Sequence, residues 1–249
     1  MKKGQMTLFV IVGIVFVAFV VLVYFLAFQK PSIEKEVAEI TSLEDELVAL
    51  EDYVQDCSDA RLLTGMNTFG RQFALLDAER PYSIYGPPLF YADGEKNVPE
   101  LSSVQKEIET LIEEEVSDCV QAYPLTVADS LDVGRTSVRL EFEEETTAIV
   151  SVDATLLFEN KSISLIDDIT SVQNGSIKNY LAVADLFVAD YIKNNGTFCI
   201  SCFVAYNEKY GVTFSIIPVG EEQLVIMNDP NYLVEGIPYE FRFGVENIA

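Results

Sequence analysis

The stretch that most limits how this chain can fold is Met6 to Phe28, MTLFVIVGIVFVAFVVLVYFLAF. It holds no charged residue, and its only side-chain hydroxyls are on Thr7 and Tyr24. At about 1.5 Å per residue it makes a helix of roughly 34 Å, enough to cross a hydrocarbon core of about 30 Å. The reading is a transmembrane helix over 6–28 behind a cytoplasmic leader, 1–5. Lys2, Lys3 and the amino terminus precede the span. Lys30 and Lys35 follow it among Glu34, Glu36 and Glu39. The basic flank favours an N-terminus in the cytoplasm and a body outside the cell membrane, crossed once. A cleaved secretory signal would have a shorter apolar region, about 7–15 residues, and a small-residue cleavage site. Here Gln29-Lys30-Pro31 follows instead.

The body behind the span is acidic. The chain has 40 Asp and Glu against 16 Lys and Arg, a net charge of −24, and no acid precedes Glu34. Such a surface repels phosphate backbones and anionic headgroups, so no nucleic-acid partner is expected. The acidity reads as a solvated surface suited to a saline medium, or more sharply as a cation-binding one. There is no His and no Trp. Without His, Ser-His-Asp and Cys-His catalysis and His-ligated zinc are excluded.

Lys2-Lys3-Gly4-Gln5, set directly before the span, resembles the class III signal peptide of archaeal type IV pilin-like proteins. The resemblance covers the N-terminal ~25 of 249 residues. It implies that a prepilin peptidase cuts on the cytoplasmic side between Gly4 and Gln5. It also implies that the apolar segment is kept as the first half of a long helix, and that like subunits are partners. Many members of that family carry a glutamate five residues into the mature chain, which pairs subunits during assembly. That position is Phe9 here, so the resemblance speaks to processing more than to filament assembly. Read without it, the same lysines are a positive-inside flank on an uncleaved anchor.

Residues 31–64 predict a helix that continues the anchor. Ile33, Val37, Ile40, Leu43, Leu47, Leu50, Val54 and Cys57 recur at steps of three and four, a one-face stripe. Glu44, Asp45, Glu46, Glu51 and Asp52 fall mostly on the other face. Pro31 can start a helix or kink one. The stripe fits an amphipathic helix packed on its own domain, or a stem packed on other subunits. Met66, Phe69, Phe73 and Leu76 keep helical spacing but are interrupted by Gly65 and Gly70. Residues 79–99 form a Pro/Gly-rich loop with a short hairpin around Tyr82 to Tyr91. Its aromatics Tyr82, Tyr85, Phe90 and Tyr91 pin the loop to the core or form a recognition patch.

Pro99 to Tyr123 predicts a second helix, with Ser102 and Gln105 as a capping box. Its stripe is Leu101, Val104, Ile108, Leu111, Val116, Cys119 and Val120. Glu113-Glu114-Glu115 point about 100° apart on a helix, so they read as a solvated face and not a metal site. From Thr136 the period becomes two. Strands are predicted to Phe142, over Ala148–Phe158 and over Ser162–Ile169, with turns at Glu143–Glu145 and Asn160-Lys161. Gly175–Asn194 is helical. Phe198–Tyr206, Val212–Val219, Gln223–Met227 and Tyr239–Val245 read as strands. The order predicts an α+β protein: a transmembrane helix, an amphipathic stem, then an ectodomain with helices packed on antiparallel sheet. The divisions are 1–5 leader, 6–28 span, 29–123 helical stem and helix pair with the loop, and 124–249 strand-rich head. The least packed linker is 124–135.

Four cysteines in an exported body suggest disulfides. Cys57 and Cys119 sit near helix ends on apolar stripes and are paired here. Cys199-Ile200-Ser201-Cys202 is a C-x-x-C. On a regular strand its cysteines would lie about 10 Å apart, so they bond only if the segment turns. A structural bridge, free or cross-paired thiols, and a redox or zinc role stay open. Asn160, Asn174 and Asn195 head N-x-[ST] sequons in predicted turns and are glycosylation candidates. No nucleophile elbow or phosphate loop is present. Asp167-Asp168 and Asp229-Pro230-Asn231 could offer oxygens to calcium but lack EF-hand spacing. No cofactor, metal or catalytic residue is assigned. The function expected is a pilin-like, structural or adhesive surface protein. The alternatives are a stand-alone anchored receptor or envelope ectodomain, and a carboxylate-based enzyme.

Overall fold

The computed structural model describes residues 3–72, 82, 83, 86–159, 161–165 and 167–248. Within the first helix it describes the side chains at 17–21, 24 and 41–71. That helix, α1, is Lys3–Gln72, 70 residues or about 105 Å long. It runs through Pro31 without ending, and it absorbs Gly65 and Gly70, which the sequence suggested as interruptions. The transmembrane reading of 6–28 falls mostly on side chains outside the described ones. Among the described residues no helix is long and apolar enough to cross a membrane. Phe73 and Leu76 also lie outside the described residues.

Above Thr41 the stripe of α1 turns into the chain's own core. Leu43, Leu50, Val54, Leu62, Met66 and Phe69 are all buried. α2, Leu101–Gln121, packs against it with Val104, Ile108, Ile112, Val116 and Val120 wholly buried. The two helices run antiparallel: Cys57 bonds Cys119 at one end, and Gly65 faces Ile108 and Ile112 further up. The capping box does not form. The helix starts after Glu100, two residues too early for Ser102 to cap it, and Glu100 makes no side-chain cap.

The pair lies on a four-stranded antiparallel sheet of β3 (Ser130–Phe142), β4 (Thr146–Phe158), β5 (Lys161–Leu165) and β6 (Ile169–Gln173). β3 takes one edge of β4. β5 and β6 share the other, and Ala154↔Leu165 and Val150↔Ile169 keep one register across their gap. The predicted strand 162–169 is therefore two strands either side of an interruption, and β6 extends beyond it. On the β3 side the register slips by one between Val133 and Thr136. Gly134 sits in that bulge, where a Cβ would meet the Asp153 carboxylate at 2.8 Å.

The outer edge of β3 is covered by α2 through polar side chains. Glu109 Oε1 accepts from the Leu140 amide (2.8 Å), Glu113 Oε1 accepts from the Val138 amide (3.1 Å), and Gln105 donates to the Leu140 carbonyl (3.0 Å). Positions 105, 109 and 113 form one rail along the helix. They satisfy edge groups that would otherwise invite another strand. Glu113 is thus not merely solvated, and neither is Glu115, which faces Arg61 at 3.6 Å.

The second sheet is mixed, in the order β2-β1-β9-β8-β7. Its strands are β1 (Leu89–Ala92), β2 (Glu95–Lys96), β7 (Thr213–Val219), β8 (Glu222–Val234) and β9 (Ile237–Glu246). β1 runs parallel to β9, and every other pairing is antiparallel. Phe90 and Tyr91 of β1 are buried, which places two of the loop aromatics in the core. β8 continues through Asp229-Pro230-Asn231. It does so because β7 stops pairing at Asn228, and the register against β9 breaks between Asp229 and Leu233. Pro230 therefore lies where no ladder needs its missing N–H.

One face of this sheet carries α3, Ile177–Lys193, whose Ser176 cap accepts from the Asn179 amide. Phe187 of α3 meets Phe198, Phe203, Phe214 and Phe243, and Tyr180 stacks on Tyr239 at 4.9 Å. The end of α1 joins the same face, with Phe69 against Phe241 and Tyr239 donating to the Met66 carbonyl. The predicted strand at 198–206 is instead a helix, α4, Ile200–Tyr210, ended by Gly211 at φ +74°. One buried hydrophobic cluster runs through both sheets and all four helices.

Candidate functional site

One carboxylate of the long helix holds the linker that leads into the head. Glu46 is 3% exposed and lies on the apolar stripe between Leu43 and Leu50, not on the solvent face. Oε1 accepts from the Thr126 amide (2.6 Å) and hydroxyl (3.2 Å). Oε2 accepts from the amides of Val127 (3.0 Å) and Ala128 (2.5 Å). Burial pushes this carboxyl up, but the three backbone donors and the hydroxyl outweigh it and hold the group below its usual range. The linker at 124–129 is therefore clasped to α1, while 130–135 belongs to β3. Tyr123 caps the arrangement edge-on against Tyr53 at 5.3 Å.

Both cysteine pairs are bonded. Cys57–Cys119 staples α1 to α2 with Cα atoms 6.2 Å apart, and Cys199–Cys202 spans 5.2 Å. The second closes because Cys199 is the N-cap of α4 and the helical turn brings Cys202 beneath it. The Cys202 amide lies 3.2 Å from Cys199 Sγ. Cys202, Phe203, Tyr206 and Tyr210 line the inner side of α4, while Ile200 and Val204 are 76% and 57% exposed. That apolar outer face is what hides the helical period in the sequence. Beside the bridge, Tyr206 donates to Asp190 at 2.5 Å. Burial, then the neighbouring Asp190, push its hydroxyl well above the usual range.

The other predicted positions do not converge. Gly4 and Gln5 lie in α1 with side chains outside the described ones. Asn160 is outside the described residues. Asn174 is exposed between β6 and α3, but Ser176 of its sequon is buried and donates to the Glu143 carbonyl at 2.7 Å. Asn195-Gly196-Thr197 sits in the turn after α3, with Asn195 at φ +52° and both Asn195 and Thr197 exposed.

Two of the candidate calcium carboxylates, Asp168 and Asp229, are engaged within the fold. Asp168 accepts from Ser151 at 2.5 Å. Asp229 accepts from the Tyr180 hydroxyl at 2.8 Å and, through its other oxygen, from the Asn231 amide at 2.9 Å. Among the described residues no group of three Cys, Asp or Glu could hold a metal ion. The space between α3 and α4, lined by Asp190, Tyr191, Cys199, Cys202 and Tyr206, is a cavity of about 10 Å³. That is room for a single water. The depressions along α2 are open to solvent.

From the sequence Glu46 and Glu113 read as solvated, and Glu109 carries no reading at all. The available signal was position. Glu46 stands three residues after Leu43 and four before Leu50, on the stripe itself. Comparison with protein families, with curated proteins and with solved structures finds no match.

Proposed function

We propose that the chain is a membrane-anchored surface protein of pilin-like build, with its N-terminus in the cytoplasm and an extracellular head whose work is structural or adhesive. The observation that carries this reading is the continuity of α1. The uncharged run 6–28 and the stripe that enters the head's core belong to one helix, so anchor and head form a single mechanical unit. The Lys2-Lys3-Gly4-Gln5 flank supports processing by a prepilin peptidase. Two disulfides suit an oxidising compartment outside the cytoplasm.

Mass spectrometry of the mature N-terminus tests the processing: a chain beginning at Gln5 is expected, and one beginning at Met1 removes the pilin-like part. Electron microscopy of sheared surface fractions tests assembly. A second reading, an anchored ectodomain that never polymerises, is favoured by Phe9 and by the burial of the stripe from Leu43 to Phe69 in the chain's own core. It wins if all of the protein remains as detergent-soluble monomers and no fibre carries it. A carboxylate-based enzyme has least support, since Asp168, Asp229, Glu113 and Glu115 are bonded within the fold.

A further inference from the structure

We propose that β7 is a docking edge for a second copy of this chain, which lays its own β7 antiparallel to it about a two-fold axis at Ser215. Elsewhere the sheet edges are guarded or short. α2 covers β3 with its polar rail, and the Thr170 carbonyl of β6 takes Gln55 of α1 at 3.2 Å. β2 and β5 have two and five residues. β7, Thr213–Val219, is the seven-residue rim of the second sheet and pairs on one side only, with β8. It lies in a run without charge, Gly211 to Gly220, in a chain of net charge −24. An uncharged edge on so acidic a body is where a like-charged copy meets least repulsion.

The register makes this edge fit itself. Val219 and Glu222 close a two-residue turn, so 213, 215, 217 and 219 exchange backbone bonds with β8, and 214, 216 and 218 turn theirs outward. Pro218, which has no N–H, falls in the outward set, where the ladder loses nothing. Among the described residues no backbone bond reaches Phe214 or Ile216 from that side. With Ser215 on the axis, Phe214 stands opposite Ile216 of the second copy, and the reverse. Each pair exchanges an N–H···O=C bond in both directions. An aromatic residue opposite a β-branched one is also a pairing that strands favour. At each end Pro218 stands opposite Val212. The N–H that Pro218 lacks is not missed there, because the Val212 carbonyl already accepts from the Asn207 side chain at 3.2 Å. The two α4 helices, each stacked on Phe214 through Phe203, then share one face of the joined sheet, with Ile200 and Val204 exposed on them. A seam one strand wide is smaller than the roughly 1,200 Å² typical of stable complexes, so dilute chains stay monomeric and pairs form where the chain is concentrated. The pairing does not depend on the membrane anchor.

Cysteine trapping in the full chain, concentrated in detergent at high salt, tests the register. All four native cysteines are bridged, so an introduced one is the only free thiol. Thr213, Ser215 and Ile217 are exposed, so each is replaced without touching the core. In Ser215→Cys the Cα atoms of the two copies lie about 4.5 Å apart, within reach of a disulfide. In Thr213→Cys alone, or Ile217→Cys alone, they lie about 14 Å apart. Mild oxidation is expected to dimerise Ser215→Cys, and a mixture of Thr213→Cys with Ile217→Cys, about tenfold or more faster than either of the latter alone. In the unsubstituted chain the Phe214 and Ile216 amides are expected to exchange hydrogen more slowly when concentrated, while those of Ser215 and Ile217 keep their rates. Trapping at Ser215 no faster than at Thr213 or Ile217 overturns the proposal. So does unchanged exchange at 214 and 216 on concentration.

Discussion

Replacing Glu46 tests whether the helix and the head are joined where the structure joins them. In Glu46→Gln the retained oxygen is best used on the Val127 and Ala128 amides, and the new amide faces Thr126. The Thr126 hydroxyl can turn to accept, but the Thr126 N–H then opposes a donor. One charge-assisted bond is lost and the others weaken to neutral strength, a cost of about 2 kcal/mol. Glu46→Ala leaves three amides without their acceptor in a site that is 3% exposed, and the cost rises to about 3–4 kcal/mol. For a chain of this size that lowers the melting temperature by roughly 10 °C. The pH dependence has a definite sign. The folded carboxyl titrates below its unfolded value, which is about 4.3. The stabilisation is therefore complete above the unfolded value and is lost as pH falls through the folded one. The gap between wild type and Glu46→Gln should be full at neutral pH and narrow as pH falls below the unfolded value. Urea unfolding of the detergent-solubilised full chain measures the gap, and amide exchange at 126–128 locates it. A cost below about 0.5 kcal/mol for Glu46→Ala, or a gap that keeps its size in acid, refutes the clasp.

Three further variants probe the packing of α1. Removing Cys57–Cys119 by a double change to serine should cost about 4 kcal/mol from its 62-residue separation, seen as a lower urea midpoint under non-reducing conditions. Gly70→Ala should destabilise by about 2 kcal/mol, because its Cβ would press on the Tyr239 hydroxyl and lie 2.6 Å from the Glu240 carbonyl. Gly65→Ala should be neutral or stabilising by up to about 1 kcal/mol, since its Cβ would rest at 3.5 Å from Ile108. Thermal melts of the two alanine variants check the contrast, and equal losses would refute it.

The long helices and most strands were legible because one physical signal dominated each. In α2 the buried residues recur every fourth position, in α3 they share one helical face, and in β4 and most of β9 they alternate. The Cys57–Cys119 pairing followed from two stripes that had to face each other. The misreadings have a common cause, in that a tertiary partner outweighed the local pattern. α4 looks like a strand because Ile200 and Val204 make its solvent side apolar, so no period stands out. Gln105 closes no capping box because the helix begins two residues before Ser102, and its amide instead donates to the Leu140 carbonyl at the edge of β3. Pro230 does not end β8, because the strand that would have needed its N–H has already stopped. Glu46 was grouped with its acidic neighbours by composition, although its place on the stripe marks it as buried.

The way the stripe is used constrains assembly. From Leu43 to Phe69 the apolar side of α1 is covered by α2 and by the sheet of β3 to β6, so that length offers no apolar seam to a second copy. On the pilin-like reading, contact between subunits along α1 then has to come from below Leu43, where Ile33, Val37 and Ile40 continue the same spacing above the run 6–28. The acidic bodies would repel one another at low ionic strength and approach only when salt screens them over about 10 Å or less. Sedimentation of the solubilised chain from low to high salt follows from this. Assembly that grows with salt, and that is abolished by charges placed at Ile33 and Val37, is the result expected of a filament subunit. A stand-alone anchor would stay monomeric across the same range.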